Sequence, residues 1–116
     1  MSVRAPLGDI SEAAWQEQVV RLAQLYGWLV YHTFDSRRST AGFPDLVLVH
    51  PRRGRVIFAE LKTDKGTLSA PQIEWNAALQ QVAATLRAPE FAVYVWRPKD
   101  FEDMHAALRP GTAMAA

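Results

Sequence analysis

Two apolar runs separated by four residues constrain this chain more than any other feature. DLVLVH (45–50) and RVIFAELK (55–62) flank PRRG (51–54), and so short a connection between strand-like runs favours an antiparallel hairpin. If the turn is centred between Arg52 and Arg53, Asp45 lies directly opposite Glu60. Val47, Val49, Val56 and Phe58 then share one face with them, while Leu46, Leu48, Ile57, Ala59 and Leu61 take the other. Both faces are apolar, so the spacing predicts central strands covered on both sides.

That register is costly for the charges. Cross-strand neighbours on one face hold their Cβ atoms about 4.5–5.5 Å apart, and like charges so placed repel. Side chains alternate along a strand, so Lys62 shares the face of Glu60. Two readings are open. The strand ends fray into solvent and Glu60 forms a surface ion pair with Lys62, or a divalent cation relieves the repulsion. Mg²⁺ or Mn²⁺ suits the second, being held by one or two carboxylates plus several waters.

The remaining elements fall on either side of the hairpin. Ser11 and EAAWQEQVVRLAQLYG read as a helix with Trp15, Val19, Leu22 and Tyr26 on one stripe and Gly27 past its end. WLVYHTF (28–34) reads as a strand. Ser69 and Gln72 match a capping box, with Pro71 in the first turn, opening a second helix to about Arg87. EFAVYVW (90–96) supplies a fourth strand, and a short helix from about Lys99 to Leu108 follows. The order is αβββαβα, an α/β layer structure with a mixed four-stranded sheet flanked by helices.

At 116 residues the chain has the length of one domain. Residues 1–10 read as an N-terminal extension, 11–108 as the domain and 109–116 as a flexible tail. With 49% hydrophobic and 22% charged residues, and no apolar run near the roughly 20 residues of a membrane helix, the expectation is a protein without membrane association. MSVRAPLGDI has no apolar core of a secretory signal, and without cysteine there is neither a disulfide framework nor a thiolate metal site; a cytoplasmic location follows as an expectation. Net charge is only +1, yet residues 37–65 carry seven basic side chains against three acidic ones. Such a local cationic face suits a polyanion, although solubilising loop arginines give the same count.

Pro44-Asp45, fourteen residues, then Glu60-Leu61-Lys62 resembles the core motif of the PD-(D/E)XK nuclease superfamily, whose restriction-endonuclease-like core has the order αβββαβ. GFPDLVLV, the strand ending AELK, the segment LSAPQIEW and the late AVYVWRP strand are similar to the virus-type replication-repair nuclease (VRR-NUC) group, in its small stand-alone phage and bacterial form. The likeness runs from about Ser11 to Leu108.

The resemblance implies metal-dependent hydrolysis of DNA phosphodiesters, with no organic cofactor. Asp45, Glu60 and the Leu61 backbone carbonyl would hold Mg²⁺ or Mn²⁺, which polarises the phosphate and helps deprotonate the attacking water. Lys62 would orient or activate that water and offset charge on the phosphate. The family often adds an acidic residue from the first helix; its expected place here is Gln16, so the assignment goes to Glu12, one turn earlier, with Glu17 pointing away. Glu12 equally serves as an acidic residue favouring the helix N-terminus. Gln72 matches a glutamine of the family's LSxxQ segment and has the capping role besides. Ser36, Arg37 and Arg38 in the loop before Asp45, and Lys65, are the expected DNA contacts. His32 reads as a packed histidine or a base, and Trp75 and Trp96 as core aromatics or stacking platforms. Small stand-alone members suggest a homodimer that resolves Holliday junctions in DNA repair, with flap or nicking activity a close variant and a catalytically inactive DNA-binding module the alternative.

Overall fold

A computed structural model describes residues 3–33 and 40–111. Its elements are α1 (Glu12–Leu25), β1 (Leu29–His32), β2 (Leu46–His50), β3 (Arg55–Leu61), α2 (Ala70–Leu86), β4 (Phe91–Trp96), a 3₁₀ turn (Pro98–Asp100) and α3 (Phe101–Leu108). The order αβββαβα is as expected. The strands form one sheet in the order β1-β2-β3-β4, antiparallel except for the parallel β3–β4 pair, which α2 connects. Phe34, the expected end of β1, lies outside the described residues.

Local chemistry explains the boundaries. The Ser11 hydroxyl accepts from the Ala14 N–H at 3.1 Å, satisfying one of the donors that open α1. The Ser69–Gln72 capping box forms in full: Gln72 Oε1 accepts from the Ser69 N–H at 2.8 Å, and Ser69 Oγ from the Gln72 N–H at 3.3 Å. In the hairpin, His50 pairs with Arg55 and Leu46 with Ala59, the register expected from a turn centred on Arg52 and Arg53. His50 anchors that turn, since its Nδ1 accepts from the Arg53 N–H at 3.3 Å while its Nε2 lies 3.0 Å from the Tyr26 carbonyl.

The two sheet faces are not covered alike. On the first, α1 and α3 bury Leu46, Leu48, Ile57, Ala59 and Leu61 against Trp15, Val19, Leu22, Phe101, Met104 and Leu108. On the second, α2 covers Phe58 and Phe91 through the contacts of Trp75 with Phe43 and of Phe43 with Phe58. Beside it Leu29 and Tyr31, 65% and 61% exposed, and Val49 stand open. The expectation that both faces are covered therefore holds in full for the first face and in part for the second. One helix spans about 10 Å and cannot roof four strands spaced about 4.8 Å apart.

The loop before β2 is clamped onto the start of α2. Gly42 has φ of +95°, and a Cβ there would collide with the Pro71 backbone carbonyl. Gly42→Ala combines a left-handed backbone cost of about 1–2 kcal/mol with that collision. A fall in the thermal midpoint of roughly 5–10 °C is the expected result in a calorimetric or circular dichroism melt.

Candidate active site

Where the hairpin ladder ends, the site begins. One step beyond the Leu46–Ala59 pair the register sets Asp45 opposite Glu60. Asp45 is held twice: its carbonyl accepts from the Thr33 N–H at 3.1 Å, and its Oδ2 accepts from the Leu61 N–H at 2.8 Å. The next position opposite Leu61 is Pro44. In a hydrogen-bonded antiparallel pair each residue both donates and accepts, but proline has no N–H to give. The Leu61 carbonyl thus receives no ladder bond from Pro44 while directed to the same side as its own N–H, toward Asp45. A proline followed by aspartate produces a carboxylate and a main-chain carbonyl at one strand end.

Glu60 is 3% exposed, and its Oε1 is buried without a hydrogen-bond partner. Its carboxyl is pushed up from 4.5 to about 9, first by burial, then by a hydrogen bond to Asp45 and by the charge of Asp45; Lys62 opposes the rise and Glu12 adds to it. Burial and the neighbouring carboxylate therefore favour a proton on Glu60 in the metal-free protein. A divalent cation can replace that proton, satisfying the orphaned oxygen and both charges together. Among the described residues no three His, Asp or Glu side chains converge closely enough to form a ready-made cage. A pair of carboxylates beside a carbonyl that Pro44 leaves without its ladder bond fits a small hard cation that keeps most of its waters.

Lys62 follows directly, and its N–H donates to the Trp96 carbonyl at 3.1 Å. That carbonyl also accepts from the buried Trp15 indole at 3.0 Å, which ties α1 to this end of the β3–β4 pair. Glu12, exposed in the first turn of α1, is near enough to raise the Glu60 pKa, and Gln16 is half-buried one turn on. Glu17 does point elsewhere, forming a 3.0 Å ion pair with Arg21. Gln72 spends its side-chain oxygen on the α2 cap. His32 pairs with Leu46 and so, by alternation, leaves the sheet on the face away from Asp45 and Glu60. Trp75 packs on Phe43, and Trp96 is 2% exposed and stacked on Tyr94, which makes both packing residues. Lys65 is exposed on the loop after β3. Ser36, Arg37 and Arg38 lie outside the described residues.

The VRR-NUC domain model matches residues 9–96, three-quarters of the chain and the whole of this site. The chain belongs to the VRR-NUC family. A solved VRR-NUC domain is 21% identical over 80% of this chain and 91% of its own, with a TM-score of 0.60. Hjc from Archaeoglobus fulgidus, a Holliday junction resolvase from an archaeal hyperthermophile, is 24% identical over 75% of this chain and 68% of its own, with a TM-score of 0.45. Comparison with curated proteins returns no match. The family is one of nucleases, which act on DNA and generally use divalent metals; the VRR-NUC resemblance seen in GFPDLVLV and AELK is therefore the correct one.

Two contributors were absent from the sequence-based site. Gly42 and Phe43 fix the approach of Asp45 through contacts with α2. Arg97 grips the loop after Lys62. A glycine just before Phe-Pro-Asp was the available signal for the first; the second is 34 and 31 residues from its two partners and left none.

Proposed function

We propose that this VRR-NUC protein is a Mg²⁺- or Mn²⁺-dependent, structure-selective DNA endonuclease acting on branched DNA such as a Holliday junction. Half-buried Asp45 set opposite buried Glu60, whose Oε1 is unpartnered, is the observation that carries this reading. Asp45, Glu60 and the Leu61 carbonyl hold the cation, with Glu12 supporting it from α1. The bound cation supplies Lewis-acid polarisation of the scissile phosphate and favours ionisation of the attacking water. Lys62 donates hydrogen bonds to that water and to the phosphate, orienting the one and offsetting charge on the other. Gln72 keeps its two amide N–H donors for substrate after its oxygen is used in the cap. Lys65, with Ser36, Arg37 and Arg38, contacts backbone phosphates and sets affinity rather than sequence.

The active unit in this proposal is a homodimer. Leu29, Tyr31 and Val49 lie open on the sheet face that carries the carboxylates, and Val82 and Leu86, 45% and 54% exposed, continue the α2 stripe of Trp75 and Leu79 at helical spacing. Five large apolar side chains, each exposing on the order of 100 Å², supply more than half of the roughly 800 Å² per partner of a standard interface. A second copy, related by a twofold axis, covers this surface and brings two sites to one branched substrate.

The test incubates labelled four-way junction, flap and linear duplex with the protein in Mg²⁺, Mn²⁺ or EDTA, with mass measured by sedimentation. Metal-dependent cleavage favouring a branched substrate, by a dimer, is the expected result. Cleavage that persists in EDTA contradicts the mechanism, and binding without cleavage under every metal condition favours an inactive DNA-binding module.

A further inference from the structure

We propose that Arg97 is the positioning residue for Lys62, acting through the loop between them; this rests on the catalytic reading of Lys62 above. Arg97 follows β4, the strand parallel to β3, and is half-buried. Its Nη1 donates to the Thr63 carbonyl at 2.7 Å and to the Gly66 carbonyl at 2.6 Å. Those carbonyls bound a tight turn, closed by the Gly66 N–H donating to the Thr63 carbonyl at 3.2 Å. One guanidinium therefore grips both ends of the turn that begins at the residue after Lys62.

The turn lies beside the lysine stem. A Cβ built on Gly66 would lie 3.5 Å from Lys62 Cδ and 3.0 Å from Thr63 Oγ1. Gly66 therefore borders the lysine stem, and Arg97 holds the turn that carries it. Lys62 has a flexible four-carbon stem with a strongly hydrated head, so confining the stem limits where its ammonium can go.

The clamp is itself braced. The Arg97 N–H donates to Asp100 Oδ2 at 2.9 Å, and the Lys99 N–H donates to Asp64 Oδ1 at 2.9 Å, joining the 3₁₀ turn to the same loop from a second side. Beneath it, the Lys62 N–H and the Trp15 indole meet on the Trp96 carbonyl. Main chain anchors Lys62 at its base, and Arg97 through Gly66 confines it along its stem. A planar, permanently charged fork suits this task, because less freedom is lost per hydrogen bond than with lysine.

The experiment compares wild type, Arg97→Ala, Arg97→Lys, Lys62→Ala and the Arg97→Ala/Lys62→Ala pair in single-turnover cleavage, with amide hydrogen exchange of residues 63–66 in metal-free, DNA-free protein. Misplacing a catalytic group by about 1 Å costs up to about 100-fold. Arg97→Ala is therefore expected to lower the cleavage rate at saturating DNA by about 10–100-fold, with KM little changed, and to raise exchange at Gly66. Arg97→Lys falls between, and decides the matter by the same readouts if Arg97→Ala does not fold. In the Lys62→Ala background Arg97→Ala has no further effect on rate, because two residues acting through one group are not additive. A full-sized Arg97 effect without Lys62, a loss confined to KM, an undiminished rate, or unchanged exchange at Gly66 overturns the proposal. Absence of cleavage by wild type instead overturns the catalytic reading, while the exchange measurement still reports on the clamp.

Discussion

Lys62→Ala is expected to lower the rate of DNA cleavage by about 10²–10³-fold, the scale seen when one preorganised donor is removed from an electrostatic site. DNA affinity measured in EDTA should change little, since one phosphate contact among several contributes modestly and uniformly. Asp45→Ala should be at least as severe, because it removes a carboxylate and also the acceptor of the Leu61 N–H, a 2.8 Å bond. A buried donor left unpaired costs about 1–3 kcal/mol, so Asp45→Ala should also lower stability. Asp45→Asn separates the effects: its side-chain oxygen still accepts from Leu61 while the charge is gone. Loss of cleavage with stability retained in Asp45→Asn is the expected pattern, read by gel assay and thermal melt.

The second large effect concerns pH. With the Glu60 carboxyl pushed up to about 9 in the metal-free protein, cation and proton compete for one seat. At subsaturating Mg²⁺ the cleavage rate should rise about tenfold per pH unit through the neutral range, levelling toward pH 9, and more metal should move the rise to lower pH. The sign for stability is the reverse. A carboxyl whose pKa is raised on folding binds more protons folded than unfolded, so its contribution is present in full below about 4.5 and is lost as pH climbs to about 9. Metal-free wild type should weaken across that window in denaturant titrations, and Glu60→Gln, which does not titrate, should flatten the slope.

The hairpin register was legible because four turn residues leave little freedom: an Asp45–Glu60 juxtaposition follows from PRRG alone. The capping box at Ser69 and Gln72 was equally local. Distance in sequence marks what was not legible. That α2 leaves Leu29, Tyr31 and Val49 open depends on where a helix lands on a sheet, whereas apolar alternation says only that a face wants covering. That Glu60 is buried rather than frayed depends on packing around the strand end. The grip of Arg97 on Thr63 and Gly66 arises from the parallel β3–β4 pairing, which sets residues some thirty apart side by side. Glu12 shows an intermediate case: helical spacing put it on the side of the apolar stripe, and its influence on Glu60 is the smallest of those acting there.

In the proposed mechanism Asp45 and Glu60 form a seat for a divalent cation in exchange for a proton. The most direct test is the thermal stability of wild type and Glu60→Gln at pH 8, with and without Mn²⁺ and without DNA. At a Mn²⁺ concentration ten times its Kd, binding stabilises wild type by about 1.4 kcal/mol, a rise of roughly 5 °C or more in the midpoint. Wild type should show that rise, accompanied by proton release, and Glu60→Gln should lose it. An equal rise in both proteins would contradict the mechanism.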